Sequence, residues 1–375
     1  MRILILNHEY PPIGGGGGQA AQNIARELTR RGHEIIVLTA HLKGLPREEL
    51  VDDIRIVRLP SLRKHASHVG FLAMGIYILA ALTSGFRVIR RWHPDLMHVH
   101  FAVPAGAAAW LLSRLTGIPY VLTSHLGDVP GGVPEKTDKW FRWVFPFTKP
   151  IWLGAARLTA VCEYTSSLVR LHYGVNSVVI PNGFDKKILN TRILHVNHPP
   201  VVIFAGRFAA QKNLVEMVNM LATVDDLPWK CIMLGNGPLL NEIKHAITAH
   251  HLDQRFYMPG WVTPDEVLAC LDQSDLLFMP SLAEGLPVVG VQALAKGLAI
   301  VATRVGGYVD LVESGRNGFL ADSGDKDALC GALRSLLSNR EVLLSARRAS
   351  RLMASRFDID AVVDKYEAVF RSAVS

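Results

Sequence analysis

A short loop ahead of a helix-like segment carries residues suited to binding a phosphorylated ligand. The apolar run Leu276–Met279 is typical of a buried parallel strand, and Gly297 is typical of a helix exit. Between them lie an acid, a glycine, an apolar residue and a helix-starting proline: Glu284, Gly285, Leu286 and Pro287. Backbone N–H groups at a helix N-terminus attract anions, and a carboxylate beside them suits a ligand that also has hydroxyls. The alternative is that Glu284 only complements the helix dipole.

Two cations follow an earlier strand-like run in the same half of the chain. Val201–Ala205 predicts a buried strand that ends in Gly206 and Arg207, and Lys212 lies at the start of the next predicted helix. Ligands of open α/β sheets bind at the carboxyl ends of the strands. Two cations there would neutralise a diphosphate and stabilise it as a leaving group, whereas the alternative is a pair of solvated charges.

Glycines follow two further predicted strands. Gly235, Asn236 and Gly237 come after Cys231–Leu234, where small residues let backbone approach a ligand. The first strand, Ile3–Asn7, leads into five glycines, Gly14 to Gly18, and then into a helix expected from about Gln19 to Arg31. A dinucleotide site is not favoured, because the second strand ends in Thr39, Ala40 and His41 without an acid to hold a ribose.

A histidine lies at the end of another predicted strand. Tyr120–His125 has the residue types of a strand, and Leu126, Gly127 and Asp128 follow it. Its place at a strand's carboxyl end makes His125 a candidate site residue. His98 and His100, near the end of the preceding strand, are weaker candidates, and a structural role is the alternative for all three.

These motifs, in this order, resemble those of the retaining glycosyltransferases of family 4, also called glycosyl transferases group 1. The family signature has a Glu, a Gly, a short gap, a Pro and a second Glu eight residues after the first. Here the first Glu is Glu284, but the second position holds Gln292. The family's Gly-Arg…Lys motif matches Gly206, Arg207 and Lys212. Its His-Gly-Asp motif is matched by His125, with Leu126 inserted before the glycine.

The resemblance implies the GT-B fold, an α/β architecture of two Rossmann-like β/α/β domains facing an interdomain cleft. It implies that Arg207 and Lys212 hold the donor's diphosphate, that Glu284 accepts hydrogen bonds from sugar hydroxyls, and that His125 faces the transferred sugar. Gly16 and Gly17 would approach the donor's phosphates, and Val262 would lie beside the base. The second family Glu binds ribose hydroxyls, so Gln292 predicts weaker or altered nucleotide binding.

The implied activity is transfer of a sugar from a UDP- or GDP-linked donor to a hydroxyl, with the anomeric configuration retained. That scheme needs no cofactor, and no metal-binding cluster is evident in the sequence. Two other functions stay open. One is a nucleotide-sugar epimerase of the same fold, and the other is a non-catalytic nucleotide-sugar-binding protein.

The alternation of strands and helices predicts two similar α/β halves. We expect an N-terminal domain over residues 1–185, on the acceptor side, and a donor-side domain over 186–358. Residues 359–375 would form a helix that crosses back to the first domain. The four cysteines show no metal or disulfide spacing, and the N-terminal apolar run is too short for a signal peptide, so a cytoplasmic location is expected.

The net charge of +7 is concentrated in the first half, where residues 1–195 hold 23 Lys and Arg against 13 Asp and Glu. This favours an anionic partner such as a lipid surface, and nucleic acid is not expected because no recognition motif is present. Within residues 63–91, the run Val69–Leu82 is apolar, shorter than the ~20 residues of a membrane span, and flanked by basic residues. Two interpretations remain open: a helix on an anionic inner membrane face, near a lipid-linked or cell-envelope saccharide acceptor, or a buried helix. For the aromatic and basic segment 130–150 the alternatives are a surface that lines an acceptor groove or contacts a membrane, and a core helix with a charged face.

Overall fold

The structure is a computed structural model that describes residues 1–63, 65, 70–133 and 141–375, without the side chains of 141–145. The predicted roles of Lys64, Val69, Trp140 and the aromatic side chains at 141–145 lie outside the described residues. The chain divides into two compact units. Unit 1 comprises Met1–Gly183 and Ile359–Ser375, and unit 2 comprises Phe184–Asp358.

Unit 1 is a mostly parallel sheet with helices on both faces. Its strands are β1 (Arg2–Leu6), β2 (Glu34–Leu42), β3 (Glu48–Val51), β4 (Ile54–Arg63), β5 (Leu96–His100), β6 (Tyr120–Ser124), β7 (Arg157–Ala160) and β8 (Val178–Val179). Its helices are α1 (Gly16–Arg30), α2 (Phe71–Trp92), α3 (Ala107–Thr116), α4 (Phe141–Leu153), α5 (Glu163–Tyr173) and α13 (Ile359–Val374).

The sheet of unit 1 has the order β3-β4-β2-β1-β5-β6-β7-β8, and β3 alone among these strands pairs antiparallel. Alternate residues of β1 face opposite layers, as the two-residue period of a strand requires. Ile3 and Ile5 pack with residues of α1 and α13, including Ile24 and Val362. Leu4 and Leu6 pack on the other face, in the cluster that contains residues of α2, α3 and α4.

Unit 2 repeats this layered plan with a fully parallel sheet. Its strands are β9 (Val201–Ala205), β10 (Lys230–Leu234), β11 (Phe256–Gly260), β12 (Leu276–Met279), β13 (Ala299–Thr303) and β14 (Gly318–Ala321). Its helices are α6 (Leu214–Ala222), α7 (Leu240–Ala249), α8 (Pro264–Asp272), α9 (Val288–Lys296), α10 (Tyr308–Leu311), α11 (Lys326–Ser338) and α12 (Arg340–Met353). The strand order is β11-β10-β9-β12-β13-β14. On α6, Leu214, Val218 and Leu221 are buried on one face, as their spacing predicts.

The first helix begins earlier than the sequence predicts. It starts at Gly16 rather than near Gln19, so three of the five glycines are helical. Glycine is a poor helix former, but here tertiary packing decides. A Cβ on Gly18 would lie 2.6 Å from the carbonyl oxygen of Glu9, and one on Gly17 would lie 2.5 Å from the Phe101 ring. The turn therefore needs glycine where the chain comes closest to its neighbours.

Helix α2 is longer than the apolar run suggests. It spans 22 residues with a mean hydropathy of 1.7 over its most apolar window, so by length and composition alone it could cross a membrane. One face of α2 is buried against the sheet through Ala73, Tyr77, Ala81, Gly85 and Ile89. The other face is exposed, and it is apolar up to Phe86 and basic after it. The burial of one face agrees with a helix packed within unit 1, and contact of the exposed face with a membrane stays a prediction.

Candidate functional site

The predicted donor-binding residues follow strands on both sides of the switch point of the unit 2 sheet. From β9, the strands β10 and β11 follow in order toward one edge of the sheet. The chain then crosses back, β12 pairs with the other side of β9, and β13 and β14 extend the sheet to the opposite edge. The loops after β9 and β12 therefore diverge and leave a crevice at the carboxyl ends of the strands, where open α/β sheets bind ligands. Arg207 follows β9 and is partly exposed, and Glu284 follows β12.

Lys212 and Glu284 form an ion pair between these two loops. The Nζ of Lys212 donates to Oε1 of Glu284, and the Ser281 hydroxyl donates to the same oxygen at 2.8 Å. The Lys212 and Glu284 side chains are only 15% and 7% exposed, so solvent screens the pair weakly. The second carboxylate oxygen, Oε2, has none of these bonds, which leaves acceptor capacity for a hydroxyl.

The loop that carries Glu284 is held from several sides. The backbone N–H of Leu282 donates to the carbonyl of Gln211 at 2.7 Å, and the Gln211 side chain donates to the carbonyl of Ala283 at 3.3 Å. The hydroxyl of Thr303, at the end of β13, donates to the carbonyl of Ser281. The carboxylate is therefore positioned by loops after three neighbouring strands.

Helix α9 starts directly behind this loop. Pro287 is its N-cap residue rather than its first helical residue, and no side chain caps the helix. The first N–H groups of a helix have no acceptor within it, so this end of α9 favours an anion. Gly307 donates to the carbonyl of Gly285 at 2.7 Å, and a Cβ on Gly306 would overlap the carbonyl oxygen of Glu284.

The neighbouring loops of the same sheet edge are also tied together. Gly206 donates to the carbonyl of Leu234 at 2.9 Å, and Gly235 donates to the carbonyl of Gly260 at 2.8 Å. A Cβ on Gly235 would overlap the carbonyl oxygen of Gly206, so a larger residue would push these loops apart.

The remaining predicted donor-side residues occupy the same edge or the helix behind it. Asn236 accepts from the N–H of Phe208 at 3.0 Å, and its side chain accepts from the N–H of Gly237 at 2.7 Å. Val262, two residues after β11, is partly exposed. Gln292 lies on α9 and is partly exposed, and its side chain makes no hydrogen bond to the described residues.

The predicted site residues of unit 1 also gather at a switch point, between β1 and β5. The ring of Phe101, which follows β5, lies 4.6 Å from that of His125, which follows β6. A Cβ on Gly17 would lie 3.5 Å from Nδ1 of His125, so the glycine-rich start of α1 faces this histidine. Gly16, the first helical residue, is exposed.

Asp128 holds the loop that carries His125. Its carboxylate accepts from Ser124 Oγ at 3.0 Å and from the backbone N–H groups of His125 and Ala102 at 3.2 and 2.8 Å. Leu126, the residue inserted relative to the family motif, has a left-handed φ of 86° that brings Asp128 back onto the loop. Asp128 is thus a structural anchor, and burial raises its pKa against the effect of these hydrogen bonds.

His98, His100 and His125 are held in their neutral form. Burial lowers the pKa of His125 to about 4, with a partly opposing contribution from Glu9 and a further lowering by His8. Burial also lowers the pKa of His98 to about 3 and that of His100 well below its usual value. A neutral imidazole can donate from one nitrogen and accept at the other, so His125 can hydrogen-bond a sugar without adding charge.

Sequence reasoning missed several residues that shape these sites. In the sequence, Ser281 and Thr303 are ordinary polar residues near the ends of predicted strands. Only the strand order of the folded sheet brings them close to Glu284. Gly306 lies in a Gly-Gly pair at the end of a predicted strand, which was the one available signal. Among the described residues, no group of three or more His, Cys, Asp or Glu is placed to hold a metal ion.

Two family models match adjoining parts of the chain. The model described as Glycosyltransferase Family 4 matches residues 14–188. The model described as Glycosyl transferases group 1 matches residues 185–353. Together they extend over both units and include every predicted site residue.

Characterised relatives are similar over most of their length. A 2-deoxystreptamine glucosyltransferase from Streptomyces kanamyceticus is 28% identical, over 88% of this chain and 91% of that protein. A UDP-Gal:alpha-D-GlcNAc-diphosphoundecaprenol alpha-1,3-galactosyltransferase from Escherichia coli is 24% identical, over 86% of this chain and 84% of that protein.

Solved structures share the fold. Sucrose-phosphate synthase from Thermosynechococcus elongatus superimposes with a TM-score of 0.86 at 17% identity, over 99% of this chain and 98% of that chain. Anabaena HepE in complex with UDP and glucose superimposes with a TM-score of 0.77 at 19% identity, over 99% and 100%. Two parallel-sheet units of this topology, together with family models that match residues 14–353, make the chain a member of the family 4 glycosyltransferases, glycosyl transferases group 1, with the GT-B fold.

Proposed function

We propose that this chain is a retaining glycosyltransferase that moves a sugar from a nucleoside-diphosphate-sugar to a hydroxyl acceptor. The observation that carries the proposal is the Lys212–Glu284 pair, which lies beside the uncapped start of α9 at the switch point of the unit 2 sheet. A diphosphate needs cations and N–H donors, whereas a sugar needs a carboxylate to accept from its hydroxyls. This part of unit 2 supplies all three.

In the proposed complex, Arg207 and Lys212 bind the diphosphate together with the N–H groups at the start of α9. The free oxygen of Glu284 accepts from hydroxyls of the donor sugar. Gln292, one turn into α9, reaches the ribose with a neutral amide in place of a carboxylate. The loops at Gly206 and at Gly235 to Gly237 border the nucleotide, and Val262 lies on the base side.

The proposed reaction breaks the bond between the sugar C1 and the phosphate oxygen, and the bonding electrons leave with the diphosphate. The acceptor oxygen forms the new bond to C1 on the same face of the sugar. Its proton passes to a phosphate oxygen of the leaving group. The cations lower the barrier because they stabilise the charge that develops on the diphosphate. His125 of unit 1 hydrogen-bonds the transferred sugar, and the scheme needs no metal.

We propose that the donor is a sugar linked to uridine diphosphate and that the acceptor is a lipid-linked saccharide. The Escherichia coli relative has a UDP-galactose donor and a diphosphoundecaprenol-linked acceptor in its name. HepE was solved with UDP and glucose. A GDP-linked donor is the alternative that must be tested beside UDP.

A transfer assay tests this function. The purified chain is incubated with UDP- and GDP-sugars and a panel of lipid-linked and free saccharide acceptors, while nucleoside diphosphate release and the anomeric configuration of the product are measured. We expect acceptor-dependent release and a product that keeps the donor's configuration. Inversion would contradict the retaining mechanism. Solvent deuterium entering the donor sugar would instead indicate an epimerase, and donor binding without release across the panel would indicate a non-catalytic binding protein.

An exposed apolar and basic surface on unit 1 supports a membrane-bound acceptor. Helix α2 packs against α3, and α3 packs against α4. These three helices contain no Asp or Glu. Their exposed residues include apolar and basic side chains: Leu72, Leu79, Phe86, Leu115, Phe147, Arg87, Arg90, Arg91, Arg114 and Lys149. Apolar side chains that insert into the interface, with cations that meet anionic head groups, are what a peripheral membrane surface requires. We therefore propose a cytoplasmic protein that docks on the inner face of the plasma membrane.

Vesicle sedimentation tests the membrane surface. We expect the chain to bind vesicles of phosphatidylcholine with phosphatidylglycerol more strongly than phosphatidylcholine alone. Leu72→Glu should reduce that binding because Leu72, 72% exposed, would no longer insert. Leu352→Glu is the matched control, since Leu352 is 71% exposed on α12 of unit 2. Equal loss in the two variants, or no binding by the wild type, would contradict the proposed surface.

A further inference from the structure

Three histidines form a row behind the candidate site of unit 1, and the proposed reaction uses only one of them. His98 and His100 alternate along β5 and share one face of the sheet, and both are fully buried. The ring centroids of His98 and His100 are 4.3 Å apart, and those of His100 and His125 are 5.3 Å apart with an angle of 28° between the ring planes. The row therefore leads from the sheet interior to His125.

His100 contacts His125 through a single hydrogen bond. Its Nδ1 lies 3.0 Å from Nε2 of His125. The other ring nitrogen of His100, Nε2, is buried and has no hydrogen-bond partner among the described residues. One of these two nitrogens carries the proton of the neutral ring, and the hydrogen-bond network decides which.

The two neutral tautomers of His100 differ in cost. With the proton on Nε2, the ring would bury an N–H donor that has no acceptor, which is rare in folded proteins. With the proton on Nδ1, the ring donates to His125 and leaves only an unused acceptor at Nε2. The second arrangement is the less costly one, and the burial that lowers the pKa of His100 excludes the doubly protonated ring.

We infer that His100 is a positioning residue that holds His125 as the neutral Nδ1–H tautomer. Because His125 accepts at Nε2, its own proton must lie on Nδ1. That nitrogen faces the glycine-rich start of α1, where a Cβ on Gly17 would lie 3.5 Å from it. His125 therefore presents a fixed hydrogen-bond donor, which suits an oxygen of a sugar. The inference rests on the proposed function for the identity of the sugar that carries this oxygen.

His98 supplies a matched control because it lies in the same environment without touching His125. Its Nε2 lies 2.9 Å from Thr123 Oγ1, which in turn lies 2.7 Å from Thr159 Oγ1. Its ring packs against Tyr366 and Phe370 of α13, at centroid distances of 5.1 and 5.0 Å. A His98 variant therefore perturbs the same core and leaves the His100–His125 hydrogen bond in place.

The first test reads the tautomer of His125 directly, in the full-length chain. Long-range ¹⁵N–¹H spectra of ¹⁵N-histidine-labelled protein distinguish a protonated from an unprotonated ring nitrogen, and the signals that His125→Gln removes assign the residue. We expect the Nδ1–H tautomer in the wild type and in His98→Gln, and a shift toward Nε2–H in His100→Leu. His125 as Nε2–H in the wild type, or an unchanged tautomer in a folded His100→Leu, would overturn the inference. The wild-type spectrum decides even where His100→Leu does not fold.

The second test adds rescue and activity. His100→Asn should restore the tautomer, because an asparagine amide can donate from nearly the same position as Nδ1. We expect kcat/KM to fall about 10–100-fold in His100→Leu and to recover in His100→Asn, with affinity for the nucleoside diphosphate alone unchanged in both. Failure of the asparagine to restore the tautomer would count against positioning. If the wild type transfers no sugar, the proposed function fails, while the spectra still test the role of His100.

Discussion

Lys212 and Glu284 depend on each other because both side chains are largely removed from solvent. Replacing Lys212 with methionine would leave the Glu284 carboxylate buried without a cation. We expect Lys212→Met to lower the free energy of unfolding by about 3 kcal/mol and to abolish nucleotide binding. Adding Glu284→Gln should recover most of the stability without restoring binding. Urea unfolding and calorimetry measure the two effects, and recovery of both together would show that the pair is only structural.

Gln292 is the residue where this chain departs from the family signature. A carboxylate accepts from ribose hydroxyls more strongly than an amide does, and an acid in the first turns of α9 also suits the helix dipole. We predict that Gln292→Glu tightens nucleotide binding by about 1 kcal/mol, or roughly fivefold. Titration calorimetry checks this, and unchanged or weaker binding would mean that Gln292 does not meet the ribose.

The buried histidines make the stability of the chain depend on pH. Their pKa values are lower in the folded than in the unfolded chain, so below about pH 6.5 the unfolded chain binds more protons than the folded chain. The free energy of unfolding therefore decreases as the pH is lowered from 7 to 5. His98, with its pKa lowered to about 3, should contribute ~2 kcal/mol of the loss between pH 7 and pH 5. Urea unfolding at both pH values should show a loss smaller by that amount in His98→Gln. The same loss in wild type and variant would argue that His98 is protonated in the folded state.

At the scale of the element, the Glu284 loop and helix α9 depend on a glycine contributed by the next strand connection. Gly306 has a φ of 53°, and a Cβ there would overlap the carbonyl oxygen of Glu284. We predict that Gly306→Ala displaces this loop, weakens nucleotide binding and lowers the free energy of unfolding by about 3 kcal/mol. Binding and unfolding are measured on the same preparation.

The matched control for this variant is Gly315→Ala. Gly315 also has a left-handed φ, of 82°, but a Cβ there would have no atom within 4 Å. It isolates the backbone strain, which costs about 1–2 kcal/mol. If the two variants bind nucleotide equally well, close approach of Gly306 does not position the Glu284 loop.

Elements were predicted well where their own residues decide them. The alternation of strands and helices and the buried face of α6 are local features that the sequence carries. The predicted start of α1 was wrong because tertiary contacts with Glu9 and Phe101 decide it. The low helix propensity of the glycines, which is all that the sequence shows, does not. The full length of α2 was missed because polar residues after Leu82 hide a continuing helix.

At the scale of the whole molecule, strand order is what turns separate motifs into sites. The sequence places Arg207 and Glu284 far apart, and nothing in either segment says that β9 and β12 are neighbours. The family resemblance supplied that link, and the two family models extend it over residues 14–353. The His100–His125 hydrogen bond and the support of Glu284 by Ser281 depend on side-chain geometry that no motif records.

Calorimetric titration of UDP and GDP tests the central claim most directly, which is that cations at the switch point of unit 2 bind a nucleoside diphosphate. The wild type, Arg207→Ala and Arg340→Ala are compared, and Arg340 is the control because it is exposed at the start of α12. We predict that at least one nucleotide binds the wild type and Arg340→Ala equally, and binds Arg207→Ala about 30-fold more weakly, as the loss of ~2 kcal/mol of charge-assisted hydrogen bonding requires. Equal affinity for all three proteins, or no binding by the wild type, would contradict the account.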